Sequence, residues 1–370
     1  MKPLSIIVPL LLCLNLAYCS FQTSLFKELN KEFIKKNLIV SPLSAYQILG
    51  LTANGAQGTT LEEMLLALDN KSLDELNSIN KNILNIIQSF SSIEMANAVM
   101  TKNSLKSSFL NMASFYQATV ETLKSVTQVN NWCNLKTHGT IPKILDSLPP
   151  NTVMALLNAI YFKGTWFKIF DKNKSYRTTF YNYNDETKPK KIEEMSITDN
   201  FKFYYDEEIQ MVELPYMKDS MSAIIILPRK KVNINDFIAN LYDEKLNSYI
   251  KKMETNTVQI DLPKFELEFS SSLITALQNM GMKIPFTFNA DFGGMIDNMD
   301  LKIEIVHQKS YLKVDEEGVV ASSSTVVVIV TRGGFSPYTM VIDRPFLFML
   351  RNSKLPENYQ MVVMAKIEEL

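Results

Sequence analysis

Gly318-Val319-Val320-Ala321-Ser322-Ser323-Ser324-Thr325-Val326-Val327-Val328-Ile329-Val330-Thr331 contains no charge and no proline. Small and hydroxylated residues, Ala321 to Thr325, lead into a β-branched run from Val326 to Val330. Arg332 follows, the only basic residue between Lys313 and Arg344, and then Gly333, Gly334, Ser336 and Pro337 supply loop chemistry. A buried strand explains Val326–Val330 but not the small-residue approach or the Arg-Gly-Gly exit. Exposed permanently, such a run would template strand pairing and aggregate. A segment that is a loop in one state and a strand in another satisfies both halves. Inserted in a sheet, Val319, Ala321, Ser323, Thr325, Val327 and Ile329 would share a face. Their apolar members, at about 1–2 kcal/mol each, and roughly ten ladder hydrogen bonds, at about 1 kcal/mol each, would release on the order of 10 kcal/mol. That is comparable to the stability of a whole domain.

The chain around this segment is ordinary. It has 370 residues, 38 Lys+Arg against 39 Asp+Glu, 46% hydrophobic and 21% charged residues. The balance excludes a disordered chain and a protein built to coat polyanions. No linker or internal repeat interrupts it, which favours one large domain over several. Two histidines, His138 and His307, argue against a His-dependent hydrolase or a His-rich metal site. No Gly-x-Ser-x-Gly elbow or His-Glu-x-x-His appears. The basic runs Lys188-Pro189-Lys190-Lys191 and Arg229-Lys230-Lys231 read as solvated surface.

Residues 1–19 read as a secretory signal peptide: Lys2, an apolar run from Leu4 to Leu16, and small residues at Ala17 and Cys19. Cleavage after Cys19 leaves a domain of residues 20–370 with Cys133 as its lone thiol, a packed residue beside Trp132, and no disulfide framework. The expected location is extracellular. Asn70-Lys71-Ser72 and Asn173-Lys174-Ser175 are glycosylation sequons. The terminal Lys366-Ile367-Glu368-Glu369-Leu370 has a faint likeness to an ER-retrieval tail, yet reads mainly as a strand end.

Periodicity predicts a helix over residues 24–37, with Leu25, Phe26, Leu29, Phe33 and Ile34 on one face, Ser24 at its start and Asn37 at its end. Thr60-Leu61-Glu62-Glu63 reads as a capping box opening a helix through Leu68. Ser271 to Met280 reads as a helix closed by Gly281. Strands are expected at Met221–Leu227, at Val258–Leu262, and in the terminal runs Phe346–Leu350 and Met361–Met364. Helices early and strands late indicate an α+β fold.

Several ordered blocks together resemble the serpins. Val314-Asp315-Glu316-Glu317-Gly318 resembles the hinge of that family's reactive loop. Asn158-Ala159-Ile160-Tyr161-Phe162-Lys163-Gly164-Thr165-Trp166 resembles a central strand signature. Ile39-Val40-Ser41-Pro42-Leu43-Ser44, Gly55-Ala56-Gln57-Gly58-Thr59-Thr60, Glu213-Leu214-Pro215-Tyr216, Leu262-Pro263-Lys264-Phe265 and Asp343-Arg344-Pro345-Phe346-Leu347-Phe348 are similar to further family blocks. Departures are Val363-Met364-Ala365 where Phe-Met-Gly is usual, Val320 where Glu is usual, and Gln308 at a position often held by His, with His307 just before it.

The resemblance implies a single α+β domain with three β-sheets, about nine helices and an exposed reactive loop over about 318–340. It implies a suicide inhibitor of serine proteases that acts by loop insertion, not an enzyme, with no cofactor and no metal. The insertable hinge would be Glu316, Glu317, Gly318, Val319, Val320, Ala321, Ser322, Ser323, Ser324 and Thr325. Counting about fifteen positions on from Glu317 puts the bait bond at Arg332–Gly333, where composition independently singles out Arg332. An arginine bait suits a trypsin-like protease, whose specificity pocket ends in a carboxylate. Ser41, Ser44 and Asn158 match the family's shutter and Trp166 its breach; core packing or capping is the plainer account of all four. The expected partner is a protease held covalently by a monomer, with no nucleic acid and no stable membrane association. A non-inhibitory carrier or chaperone is the alternative within the family, and a secreted hydrolase the remote one outside it.

Overall fold

The computed structural model describes residues 19–90, 92–162, 164–297, 301–318 and 337–370. The leader through Tyr18, the hinge residues Val319 to Thr325 and the bait pair Arg332 and Gly333 lie outside the described residues.

Among the described residues there are nine α-helices and fourteen strands. The helices are α1 (Phe21–Glu32), α2 (Pro42–Ala53), α3 (Gly58–Ala67), α4 (Leu73–Ile87), α5 (Ser107–Phe115), α6 (Val126–Lys136), α7 (Ile234–Ala239), α8 (Asp243–Lys252) and α9 (Ile274–Asn279). The earlier strands are β1 (Leu38–Val40), β2 (Ile93–Thr101), β3 (Thr119–Thr122), β4 (Met154–Phe162), β5 (Tyr176–Tyr181), β6 (Pro189–Tyr205) and β7 (Ile209–Pro215). The later ones are β8 (Met221–Pro228), β9 (Glu254–Pro263), β10 (Phe265–Ser272), β11 (Ile305–Val314), β12 (Tyr338–Val341), β13 (Phe346–Asn352) and β14 (Met361–Ile367).

A five-stranded sheet has the order β10-β11-β4-β2-β3. A nine-stranded sheet runs β1-β14-β13-β8-β7-β6-β9-β12, with β5 also on β6. The family resemblance implies three sheets; here two of them share β6. That 17-residue strand pairs with β5 through Pro189–Glu194, with β9 through Glu194–Phe203, and with β7 through Lys202–Tyr205.

Helix α2 explains how the layers meet. It is apolar almost all round and fully buried, which suits a helix enclosed by other elements rather than one lying on the surface. It packs on β2 and β4 of the smaller sheet and on β14 of the larger. Strand β4 alternates accordingly. Met154, Leu156, Ile160 and Phe162 join the main core, while Ala155, Leu157 and Ala159 join a second cluster with Trp132 and Cys133 of α6.

Boundaries differ from the periodicity in physical ways. Helix α1 starts at Phe21 and stops at Glu32, so Ser24 lies inside it and Ile34 is 57% exposed beyond it. Asn37 serves the other terminus, where its Oδ1 accepts from the Glu368 and Glu369 backbone N–H groups. The expected capping box does not form: Thr60 and Glu63 are already inside α3. Glu63 Oε2 instead accepts from Lys283 N at 2.7 Å and Ile284 N at 2.6 Å, and Thr60 Oγ1 from Asp291 N. Ser271 and Ser272 end β10, and α9 begins only at Ile274. Gly281, at φ +102°, follows that helix as expected. Strand β12 begins at Tyr338, inside the range expected for the loop.

The C-terminal segment is not a free tail. Lys366 is fully buried in β14, with Nζ on Phe33 O, Asn235 Oδ1 and Glu368 Oε2, all at 2.8 Å. A retrieval signal must be presented to a receptor, so this packing argues against that role. No helix among the described residues is long and apolar enough to cross a membrane.

Candidate functional site

Strands β4 and β11 lie side by side and parallel, in register from Ala155 with Ile305 to Tyr161 with Tyr311. Parallel pairing is slightly the weaker kind per residue. Past Tyr311, β11 continues to Val314 on β10 alone among the described residues. The chain then enters Asp315–Gly318 and the segment quoted above.

A buried polar network crosses the seam. Gln308 Nε2 donates to Asn158 Oδ1 at 2.6 Å and to Ser41 O at 3.0 Å, and Gln308 Oε1 accepts from Ser41 N at 2.6 Å. Asn158 Nδ2 donates to Ser44 Oγ, and to Asn97 Oδ1 at 2.6 Å. Ser41 Oγ accepts from Ser44 N at 3.3 Å, capping α2 with Pro42 at its first position, and donates to Val362 O on β14 at 2.7 Å. Each member is at most 7% exposed, so each needs these partners. The alternation that points Leu156 and Ile160 into the core points Asn158 there too, opposite Gln308.

The structure brings Ser41, Ser44 and Asn158 into one network. Asn97, which sequence reasoning missed, completes the group from β2, in register with Asn158. Its signal was an amide inside the apolar and small run Met95-Ala96-Asn97-Ala98-Val99.

Trp166 sits apart, beyond the end of β4, and holds the backbone of residues 315–317. Its ring stacks on Tyr216 with centroids 4.3 Å apart at 15°. Its Nε1 donates to Asp315 O at 2.9 Å and its backbone N–H to Glu317 O at 3.1 Å. Phe170 N donates to Glu316 O at 3.0 Å. Gly318 bridges to Thr165 with φ +109°; a Cβ there would lie 2.2 Å from Gly164 O, so only glycine fits.

Charge holds two of these residues, Glu316 and Glu317. Glu316 is buried, accepts from Ser175 Oγ at 2.6 Å and pairs with Lys264 at 3.1 Å, while Glu317 pairs with Lys172 at 2.5 Å. Burial alone would raise the Glu316 carboxyl. The hydrogen bonds from Ser175 and its own backbone, with the Lys264 ammonium, outweigh that and hold it below the ordinary glutamate range. These contacts border an open cavity of about 500 Å³.

Other residues singled out by sequence fall elsewhere. Cys133 is fully buried, and burial pushes its thiol up to about 12, which leaves it inert. Asn173 is exposed in a short turn at Lys172–Lys174. Asn70 is corrected: its Nδ2, where a glycan would attach, donates inward to Tyr46 Oη at 2.9 Å and Leu68 O at 2.6 Å, and the residue is 7% exposed. Among the described residues no His, Cys, Asp and Glu cluster could hold a metal ion.

A family model described as serpin, serine protease inhibitor, matches residues 16–361. The chain is a serpin. Serpins are protease inhibitors rather than enzymes, and act through a covalent complex with the protease. Iripin-2 of Ixodes ricinus is 31% identical over 341 residues, covering 86% of this chain and 85% of its own. Intracellular coagulation inhibitor 2 of Tachypleus tridentatus is 31% identical over 356 residues, covering 90% and 86%. Among solved structures, the thermophilic serpin tengpin in its native state superposes with a TM-score of 0.86 at 29% identity, covering 95% of this serpin and 92% of tengpin. The family has secreted and intracellular members.

Proposed function

We propose that this serpin is a secreted inhibitor of trypsin-like serine proteases, cut at Arg332–Gly333. The observation that carries this is the parallel β4–β11 seam, with the insertable segment following directly on β11. A strand that folds back from the end of β11 runs antiparallel to both β11 and β4. Inserting it exchanges one parallel pairing for two antiparallel ones. Gly318 through Thr325 carries neither proline nor charge to oppose that.

The protease attacks the carbonyl of Arg332 and forms an acyl-enzyme, releasing the amine of Gly333. Insertion then carries the tethered protease away and strains its catalytic site. Losing even one oxyanion donor costs about 10²–10³ in rate, so the ester persists. The side chains at the seam give the strands a means of parting: Ser41, Ser44, Asn97, Asn158 and Gln308 can exchange partners, whereas an apolar seam could only break. Trp166, Glu316 and Glu317 hold the hinge until the cut. The apolar leader over residues 1–19 supports export, and Asn173 is the sequon placed for glycosylation.

Incubation with trypsin tests this. An SDS-stable adduct should form, and the released C-terminal fragment should begin at Gly333. Plain cleavage without adduct would instead mark a non-inhibitory member.

A further inference from the structure

The start of α1 and the start of α8 meet at one carboxylate. Ser20 N lies 2.5 Å from Asp243 Oδ2, and Ser20 Oγ is 2.8 Å from Asp243 Oδ1. Thr23 Oγ1 donates to the same Oδ1 at 2.9 Å. Asp243 is the first residue of α8, so a single side chain collects three donors from the first turn of another helix.

The surroundings are short of positive charge. Asp69 and Glu28 line a cavity of about 280 Å³ beside Cys19, and Asp243 and Glu244 both act electrostatically on Cys19. Lys27 answers them from α1, while Lys31 pairs with Glu28 at 2.6 Å. The Asp69 carboxyl is raised first by burial and then by the Asp243 charge, with Glu75 adding to it.

We propose that removal of the leader after Cys19 converts the Ser20 nitrogen into an α-ammonium that Asp243 binds, so that processing ties α1 to α8. The step is hydrolysis of the Cys19–Ser20 amide: water supplies OH to the Cys19 carbonyl and H to the Ser20 nitrogen, which then takes a proton from solvent. An amide N–H offers Asp243 one proton and no charge. An ammonium offers three protons and a full charge, and charge-assisted hydrogen bonds are roughly twice as strong as neutral ones. The inference rests on the leader being cut after Cys19. Residue 19 is accommodated in the structure, so a group ahead of Ser20 is sterically tolerated, and a blocked terminus tests charge rather than fit.

The test uses the chain Ser20–Leu370 with a free amine, the same chain N-acetylated by a co-expressed acetyltransferase, and Asp243→Asn in both forms. The free-amine chain should melt about 2–4 °C above the acetylated one, and Asp243→Asn should erase the difference. The Ser20 amine should react with an acylating reagent at pH 7.5 several-fold more slowly than in Asp243→Asn, because the carboxylate favours the protonated, unreactive ammonium. Equal melting of free and acetylated chains, or a difference that survives Asp243→Asn, overturns the pairing. N-terminal sequencing of the exported protein reads the processing separately, and a first residue other than Ser20 overturns that step whatever the pairing does.

Discussion

Gln308 on β11 donates to Asn158 on β4 at 2.6 Å, amide to amide, in register across a parallel seam. The bond joins the two strands that a folded-back segment would have to separate. Its other partners, Ser41 and Ser44 on one side and Asn97 on the other, make it a junction rather than a pair.

Asn158→Ala would take one partner from Gln308 Nε2 and leave Ser44 Oγ and Asn97 Oδ1 with only their long mutual bond of 3.4 Å in the core. The expected loss is about 1–3 kcal/mol, read as a lower urea midpoint. Adding Gln308→Leu should cost less than the sum of the two single changes, because they share the broken bond. An unchanged midpoint for Asn158→Ala would mean that the network contributes nothing.

Ala321→Pro should abolish the trypsin adduct while leaving cleavage at Arg332 intact. Proline has no N–H for a ladder and is tolerated in sheets mainly at edges. Adduct at normal yield on a denaturing gel would exclude insertion through this segment.

Gly318→Ala should loosen the hinge. Its Cβ would meet Gly164 O at 2.2 Å and Trp166 N at 2.8 Å, both backbone atoms that cannot swing aside. A cost of about 1–3 kcal/mol follows for an L side chain forced into this conformation. Limited proteolysis near Asp315–Gly318 should speed up; the same rate as in the parent chain would place the hinge elsewhere.

Stability should fall between about pH 4.5 and 7 because of Glu194 on β6. The residue is fully buried, with Oε2 accepting from Tyr176 Oη at 3.1 Å and Oε1 without a partner among the described residues. Burial pushes its carboxyl from 4.5 up to about 7; the Tyr176 bond opposes this and the Asp261 and Asp343 charges add to it. The folded chain therefore holds a proton that the unfolded chain has lost in that window, so folding weakens as pH rises and levels off above it. Glu194→Gln should flatten this slope in denaturation midpoints measured from pH 4 to 8. An unaltered slope would assign the dependence to other groups.

The sequence made the seam legible through Ser41, Ser44 and Asn158, whose blocks carry the family likeness, and Trp166 through the same strand signature. Asn97 escaped because one amide in a short apolar strand has no periodic meaning until its neighbour across the sheet is known. Thr60 and Glu63 show the opposite failure. Their spacing fits a local cap, yet α3 starts two residues before Thr60, and both side chains serve residues beyond position 280. Likewise Asn70 sits in a correct sequon, but its tertiary partner Tyr46 turns the amide inward. Local patterns located elements; long-range partners decided what their polar residues do.

Strand β14 lies between β1 and β13, away from the sheet's edge, although more than 300 residues separate it from β1 in the sequence. Its Lys366 reaches Phe33, and Met361 exchanges hydrogen bonds with Gln22 of α1. Early and late segments therefore share one core, and that core stays incomplete until β14 has left the ribosome. A chain cut before Met361 would strand helix α1 without its seat.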